Sequence, residues 1–159
     1  MPNSKGDSFV KVEGSYTFNT DRETVWNALL SPEVLAACIP GSEQCESIGP
    51  DTFDISMRIK IAAMTGNYNG RVTVQDKVDL ESFTMLVEGK GRGGTVRGEG
   101  AFTFSDVNGD TQIDIIGDAR VSGVIARVGQ RLLGSASKML MNQFFDRLRD
   151  RITEIDDGR

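Results

Sequence analysis

The chain has 159 residues and a formal net charge of −5, and this length is typical of a single domain. It contains no histidine, which excludes Ser–His–Asp and Cys–His nucleophiles, histidine metal sites and imidazole acid–base catalysis. The acidic balance argues against nucleic-acid binding, which usually requires net basic charge or a strong basic patch.

Two cysteines, Cys38 and Cys45, are too few for a disulfide framework or a four-ligand zinc site. We therefore expect a reduced thiol pair and a cytoplasmic protein, with a secreted disulfide as the weaker alternative. The residues that follow Met1 include no apolar signal-sequence core. No apolar run approaches the ~20 residues that cross a bilayer. No metal and no cofactor are predicted.

Residues 8–19 alternate between apolar and polar side chains, which predicts a strand. Thr20 and Glu23 have the spacing of a capping box, so a helix that buries Val25 and Trp26 is expected to follow. Ser31 and Pro32 predict a second short helix, because serine is a favoured N-cap and proline a favoured first helical residue.

Between 42 and 121 the sequence predicts one strand after another, separated by turns. The alternation is cleanest over 52–61, where Phe53, Ile55 and Met57 share one face. Asn108-Gly109 predicts a hairpin. One apolar and one polar face per strand indicate an antiparallel sheet that is covered on one side only.

From Ser122 to about Glu154 the apolar period becomes helical, with Gly129 and Gly134 marking a bend, a break or close packing. The fold class is therefore α+β of the helix-grip type. A seven-stranded antiparallel sheet curves around a long C-terminal helix, and two short helices follow strand 1. We expect one domain over 8–155, a disordered N-terminus over 1–7 and a frayed end over 156–159.

A helix-grip fold leaves space between sheet and helix, and the predicted inner face carries glycines at 14, 70, 98 and 100. Two interpretations stay open, namely sheet curvature and room for a ligand. An apolar small molecule is the expected occupant. The predicted ligand-binding residues are Trp26, Ile39, Met57, Tyr68, Met85, Phe102, Leu132, Ala136 and Met139, and residues 35–41 and 62–67 are expected to gate the entrance.

Two other motifs indicate little chemistry. Gly89-Lys90-Gly91-Arg92-Gly93-Gly94 matches a dinucleotide fingerprint in letters, but a strand follows it instead of a helix, so a hairpin is expected. Asp106, Asn108 and Asp110 lack the spacing of a calcium loop. The strand carboxylates, such as Asp54 and Glu88, fall on outward positions, so no catalytic residues are predicted.

Three segments carry a resemblance to a known family. Val25-Trp26-Asn27-Ala28-Leu29-Leu30-Ser31-Pro32 with Cys38-Ile39-Pro40-Gly41 resembles the signature of the carbon monoxide dehydrogenase G-subunit family. Gly66–Val72 and the stretch from Gly117 to Phe145 resemble its strand and C-terminal helix motifs. That family belongs to the START-like (SRPBCC) superfamily, whose helix-grip fold agrees with the pattern above.

The resemblance implies a non-catalytic accessory protein that handles a lipid or isoprenoid quinone and associates with a molybdenum-containing carbon monoxide dehydrogenase or related hydroxylase. It also implies transient contact with the inner membrane face. Two alternatives are a cyclase- or aromatase-like enzyme that uses the same cavity and a docking subunit without ligand. The docking alternative requires an exposed apolar patch, expected around Leu35, Ile39, Ala62, Ala63 and Met64.

Overall fold

A computed structural model of the chain describes residues 6–61 and 64–157. Seven antiparallel strands form one sheet in the order β1-β7-β6-β5-β4-β3-β2. The strands are β1 Ser8–Phe18, β2 Ser42–Gly49, β3 Thr52–Ile59, β4 Gly66–Val78, β5 Ser82–Gly91, β6 Gly94–Val107 and β7 Asp110–Ser122. The predicted helix-grip α+β fold is confirmed.

Two short helices follow β1: α1 Arg22–Leu29 and α2 Pro32–Cys38. Ser31 caps α2 as predicted, because its side chain accepts a hydrogen bond from the backbone N–H of Val34. The predicted capping box at Thr20 is wrong by one residue. The carboxylate of Asp21 accepts from the backbone N–H of Thr24 at 2.8 Å and makes Asp21 the N-cap.

Hairpins join consecutive strands from β2 to β7. Asn108 and Gly109 have φ values of +52° and +86°, the pair of positive values that a type I′ turn requires. The glycine-rich motif at 89–94 straddles the β5–β6 hairpin, where Gly91 pairs with Gly94. It is therefore a strand connection, as predicted.

The C-terminal helical region is divided at Gly129. A 3₁₀ helix, Val124–Val128, precedes α3, Gln130–Asp157. Gly129 has φ +93°, which interrupts the helix, whereas α3 passes through Gly134. Residues 156–157 of the predicted frayed end are helical, and 1–5 and 158–159 lie outside the described residues. Among the described residues, no helix is both long and apolar enough to cross a bilayer.

Helix α3 runs alongside β1, which is an edge strand of the sheet. Its side chains donate hydrogen bonds to successive exposed carbonyls of that edge: Gln130 to Phe9 at 3.1 Å, Lys138 to Glu13 at 3.2 Å and Arg149 to Thr17 at 3.2 Å. These contacts fix one flank of the helix. They also cover backbone groups that would otherwise invite edge-to-edge pairing.

The core is split into two clusters along α3. The larger one surrounds Phe18, Trp26, Phe83 and the C-terminal half of α3. The smaller one joins Val10, Met64, Tyr68, Ile125 and Leu133 with their neighbours, at the end where α3 begins. Packed interiors normally form one contiguous core per domain, so the division indicates a gap between the clusters.

Candidate ligand-binding cavity

A cavity of about 470 Å³ lies between the sheet and α3, and residues of both core clusters line it. Its walls come from the inner faces of the sheet, from α2 and its C-cap residue, and from the N-terminal half of α3. Ligand sites in proteins commonly measure ~300–1,000 Å³ and are mostly apolar. This cavity is large enough for a small apolar molecule.

The floor of the cavity is a diagonal band of glycines on the sheet. Gly70 pairs with Gly89 across β4 and β5, and Gly98 and Gly100 continue the band on β6. Each of these glycines lies at an inward-facing position of its strand, and the other inward-facing positions around it carry Phe, Ile, Met and Val. The absence of side chains along this diagonal produces a trough under α3.

The four glycines of the floor differ in what surrounds them. A Cβ atom at Gly70 would lie 3.1 Å from the carbonyl oxygen of Glu88, and one at Gly98 would lie 3.3 Å from that of Asp118. At Gly100, a Cβ would meet only ordinary contacts of 3.7 and 3.8 Å, and at Gly89 only one of 4.0 Å. Gly70 and Gly98 permit a close backbone approach, whereas Gly89 and Gly100 border open space.

The structure brings most of the predicted binding residues to this cavity. Its lining includes Ile39, Met57, Tyr68, Met85, Phe102 and Ala136. Trp26 lies elsewhere in the core, with its ring 5.3 Å from that of Phe83 and 5.2 Å from that of Phe104. Trp26 is buried as expected but forms no part of the cavity wall. The binding role of the lining residues stays a prediction.

Leu132 and Met139 face away from the cavity and are 37% and 41% exposed. The predicted binding residues on α3 are Leu132, Ala136 and Met139, whereas the side of α3 that faces the cavity carries Leu133, Ser137 and Leu140 beside Ala136. One helical residue corresponds to about 100° of rotation, so choosing the wrong member of the Leu132–Leu133 pair moves a side chain out of the site.

The lining residues that the sequence analysis missed on α3 have a helical signal. Counting back from Phe144 by 4, 7 and 11 residues gives Leu140, Ser137 and Leu133, which share one face of a helix. The break at Gly129 hides this signal, because a stripe begun at Ile125 does not keep its phase across it. The phase has to be taken from the C-terminal half of α3.

Tyr68 provides a polar side chain in the cavity wall. Its hydroxyl donates to the carbonyl oxygen of Met64 at 2.8 Å, and burial raises the pKa of the phenol. The hydroxyl is therefore protonated at neutral pH and keeps a lone pair that can accept a hydrogen bond. Such a group can orient a ligand, but a neutral phenol is a weak general base.

Tyr16, also predicted on the inner face, belongs to the larger cluster. Its ring stacks on Phe145 at 4.1 Å and its hydroxyl donates to the side-chain oxygen of Asn142 at 2.8 Å. Burial and then the charge of Asp146 raise its pKa. With Met141, this ring occupies the space beside Gly14, where a Cβ would lie 2.7 Å from Tyr16. Gly14 therefore makes room for a side chain of the chain itself.

The strand carboxylates lie on the outer face, as predicted. Asp54 pairs with Arg71 at 2.9 Å, and Glu88 pairs with Arg97 at 3.4 Å. Glu88 adjoins Gly89 of the floor, but strand alternation directs its side chain away from the cavity. These ion pairs are largely exposed and add little stability. They provide no acid–base pair inside the cavity.

The apolar patch expected for a docking subunit is not exposed where the sequence placed it. Leu35 is 3% and Met64 is 8% exposed, because both side chains face inward and line the cavity. Ile39, also in the wall, is half-buried. Ala62 and Ala63 lie outside the described residues. The exposed patch around Leu35 and Met64 is therefore a wrong prediction.

Comparison with known proteins agrees with this architecture. The family model of the carbon monoxide dehydrogenase G-subunit (CoxG) matches residues 14–153. A conserved protein from Geobacillus kaustophilus superposes with a TM-score of 0.87 at 33% identity, covering 91% of this chain and 95% of that one. None of the curated proteins matches this chain.

More distant solved structures share the fold. A START superfamily protein from Mycobacterium smegmatis has a TM-score of 0.72 at 12% identity, covering 91% of this chain and 98% of that one. A protein of unknown function from Staphylococcus aureus has a TM-score of 0.70 at 12% identity, covering 96% and 98%. Likeness at this identity concerns the fold alone.

Proposed function

The chain belongs to the carbon monoxide dehydrogenase G-subunit family, and from this membership and its cavity we propose that it binds an apolar small molecule, a lipid or an isoprenoid quinone, between the sheet and α3. The observation that carries the proposal is the apolar cavity of about 470 Å³ with its glycine floor. A domain without a ligand gains nothing from this space, because an empty apolar cavity costs stability.

Binding without catalysis accounts best for the groups in the wall. Tyr68 is protonated and hydrogen-bonded, and the strand carboxylates lie on the outer face. A cyclase- or aromatase-like reaction needs positioned acids and bases around the substrate. The cavity offers apolar contact area and a few hydrogen-bonding groups, which is the composition of a carrier site.

The family name supports an association with a molybdenum-type carbon monoxide dehydrogenase or a related hydroxylase. We propose that the chain is an accessory protein of such an enzyme in the cytoplasm, with transient contact at the inner membrane face. A carrier that presents a quinone to a redox partner would explain an apolar cavity beside an enzyme that passes on electrons. Co-purification from the native host tests the partner directly.

The ligand itself is tested by organic extraction and mass spectrometry of the folded protein purified from its host. A stoichiometric lipid or quinone supports the proposal and identifies the cargo. Titration with N-phenyl-1-naphthylamine, an uncharged apolar dye, gives a second readout with the ligand removed. A protein that carries no extractable molecule, and binds neither the dye nor added quinones, would overturn the proposed function.

A further inference from the structure

One end of the sheet brings together three connections that are distant in sequence. Ile59 of β3 pairs with Gly66 of β4, and Gly91 of β5 pairs with Gly94 of β6, at the same end of their strands. The 3₁₀ helix joins this end through a hydrogen bond from the backbone N–H of Ile125 to the carbonyl of Gly93 at 2.9 Å. Helix α3 starts immediately after it.

This end is rich in exposed cations, which we call the basic end. It consists of Lys60 on the β3–β4 connection, Lys90 and Arg92 at the β5–β6 hairpin, Arg127 on the 3₁₀ helix and Arg131 on α3, all exposed. The glycine-rich motif at 89–94 thus contributes its two cations to a larger surface.

The charge of the whole chain is divided between its segments. Residues 55–75, 89–98 and 119–145, which form and support the basic end, hold ten of the 18 basic residues and none of the 23 acidic ones. They carry +10, so the rest of the chain carries −15 and the total is −5. Asp51, Asp79 and Asp106 lie at the opposite end of the sheet, where Lys77 pairs with Asp51 and Arg22 with Asp106. The unpaired positive charge is therefore concentrated at the basic end.

The cations of the basic end are not neutralised by the protein. Within the described residues, none of its five side chains forms an ion pair or a side-chain hydrogen bond. Asp7, an acidic residue close to this end, is itself held by Arg120 at 2.8 Å. Five unpaired cations at one end leave a positive surface that can attract an anionic partner.

Exposed apolar side chains lie close in sequence to these cations, further along the same half of α3 or on the strand β1 beside it. Phe9 is 46% exposed, Val124 51%, Leu132 37% and Met139 41%. Leu132 and Met139 are seven residues apart and share one face of α3, whereas Lys138 on another flank holds β1. Cations interspersed with exposed apolar side chains are typical of segments that lie at the surface of anionic membranes.

We propose that the basic end docks on the surface of an anionic lipid bilayer, with Val124, Leu132 and Met139 entering the headgroup layer. The opposite side of the same half of α3 provides Leu133, Ala136 and Leu140 to the cavity wall. Docking would therefore place the roof of the cavity at the bilayer. This inference deepens the proposed function and rests on it, because a position at the bilayer matters for the cavity only if the cavity binds an apolar molecule.

A membrane fits this surface better than a nucleic acid does. Phosphate groups of a nucleic acid are bound by cations together with polar side chains, whereas exposed Val124, Leu132 and Met139 add apolar surface close to the cations here. In a bilayer the same side chains gain from burial below the headgroups.

The test is co-sedimentation of the full chain with two kinds of vesicle, one of phosphatidylcholine alone and one of phosphatidylcholine and phosphatidylglycerol in equal parts. We expect binding to the anionic vesicles, weakened by salt. The Arg127→Gln/Arg131→Gln variant should bind about 25–30-fold more weakly, since each cation near an anionic surface contributes about fivefold. Arg147→Gln/Arg151→Gln removes the same charge from the other half of α3 and should retain binding.

The apolar contribution has its own matched pair. Leu132→Ser should weaken vesicle binding severalfold, whereas Ile155→Ser, which changes an equally exposed side chain at the other end of α3, should not. Equal binding to both kinds of vesicle, equal effects of the two double variants, or binding to single-stranded DNA without vesicle binding would overturn the proposal.

The failure of this inference can be separated from failure of the proposed function. Binding of N-phenyl-1-naphthylamine without vesicles reports on the cavity alone and should be the same in wild type and in Arg127→Gln/Arg131→Gln. Dye binding without vesicle binding would reject the docking surface and keep the cavity site. Vesicle binding without dye binding would keep the docking surface and reject the cavity site.

Discussion

Gly100→Leu should stabilise the protein while it blocks the cavity. A Cβ at Gly100 meets only ordinary contacts with Phe102 and Ile115, and the rest of the side chain would extend into the cavity. Burial of a leucine side chain contributes about 1.5–3 kcal/mol, and replacement of a strand glycine about 0.5–1 kcal/mol. Lost rotamer freedom removes about 0.5–1 kcal/mol.

The free energy of unfolding should therefore rise by about 2 kcal/mol, which corresponds to about 4–8 °C in Tm for a chain of this size. Urea unfolding followed by circular dichroism measures the change. In the same variant, affinity for N-phenyl-1-naphthylamine should fall about tenfold or more, because the leucine takes the volume that the dye requires.

Ala101→Leu is the matched control. Ala101 is the next residue of β6, is exposed and faces the other side of the sheet. The same leucine side chain there should leave dye binding unchanged and alter stability by less than about 0.5 kcal/mol. A Gly100→Leu protein that is less stable than wild type, or that binds the dye as well as wild type does, would refute the reasoning, because the space beside Gly100 would then not be an open binding volume.

Three further measurements test the packing. Gly117→Ala should lower the free energy of unfolding by about 1–3 kcal/mol, because its Cβ would collide with the carbonyl oxygen of Glu99. Gly134 has open space around it, so Gly134→Ala should raise the free energy of unfolding by up to about 1 kcal/mol in the same urea titration. Ser42→Ala should raise the free energy of unfolding by about 1 kcal/mol, and the Tm with it, because the Ser42 hydroxyl is buried and makes no hydrogen bond. A lower Tm would show that the hydroxyl has a partner. Burial raises the pKa of Tyr68 from its ordinary 10.0, so the folded state keeps the phenol proton to higher pH than the unfolded state does, and stability should decline as pH rises above about 10. Tyr68→Phe should show a smaller decline in stability between about pH 8 and about pH 11. An equal decline in both proteins would contradict this origin.

The sequence predicts the sheet well because strand alternation has a period of two. Phe53, Ile55 and Met57 share the inner face, and the structure places them against the core or the cavity. An error of one residue would reverse every side chain, so a clean alternation leaves little room for a wrong assignment. Hairpin signals such as Asn108-Gly109 then fix where each strand stops.

The helical parts of the cavity are harder to predict. These helices contain more apolar residues than one buried stripe requires, and a shift of one residue rotates a side chain by about 100° around the helix. Leu132 and Leu133 cannot be distinguished by type, and the inward one is identified only when the helical phase is counted back from Phe144. Trp26 shows the same limit, since its burial is predictable but its choice of Phe83 and Phe104 as partners depends on tertiary packing.

The glycines of the floor bear differently on the two interpretations that the sequence leaves open. A strand glycine costs about 0.5–1 kcal/mol, and this cost has a different reason at different positions. Gly70 and Gly98 have backbone carbonyls within 3.3 Å of a Cβ position, so the curved sheet requires them. Gly100 has no such contact, so a larger residue there should fit and stabilise the fold. Sheet curvature therefore accounts for the first two, whereas the Gly100→Leu variant tests whether the glycine at 100 makes room for a ligand.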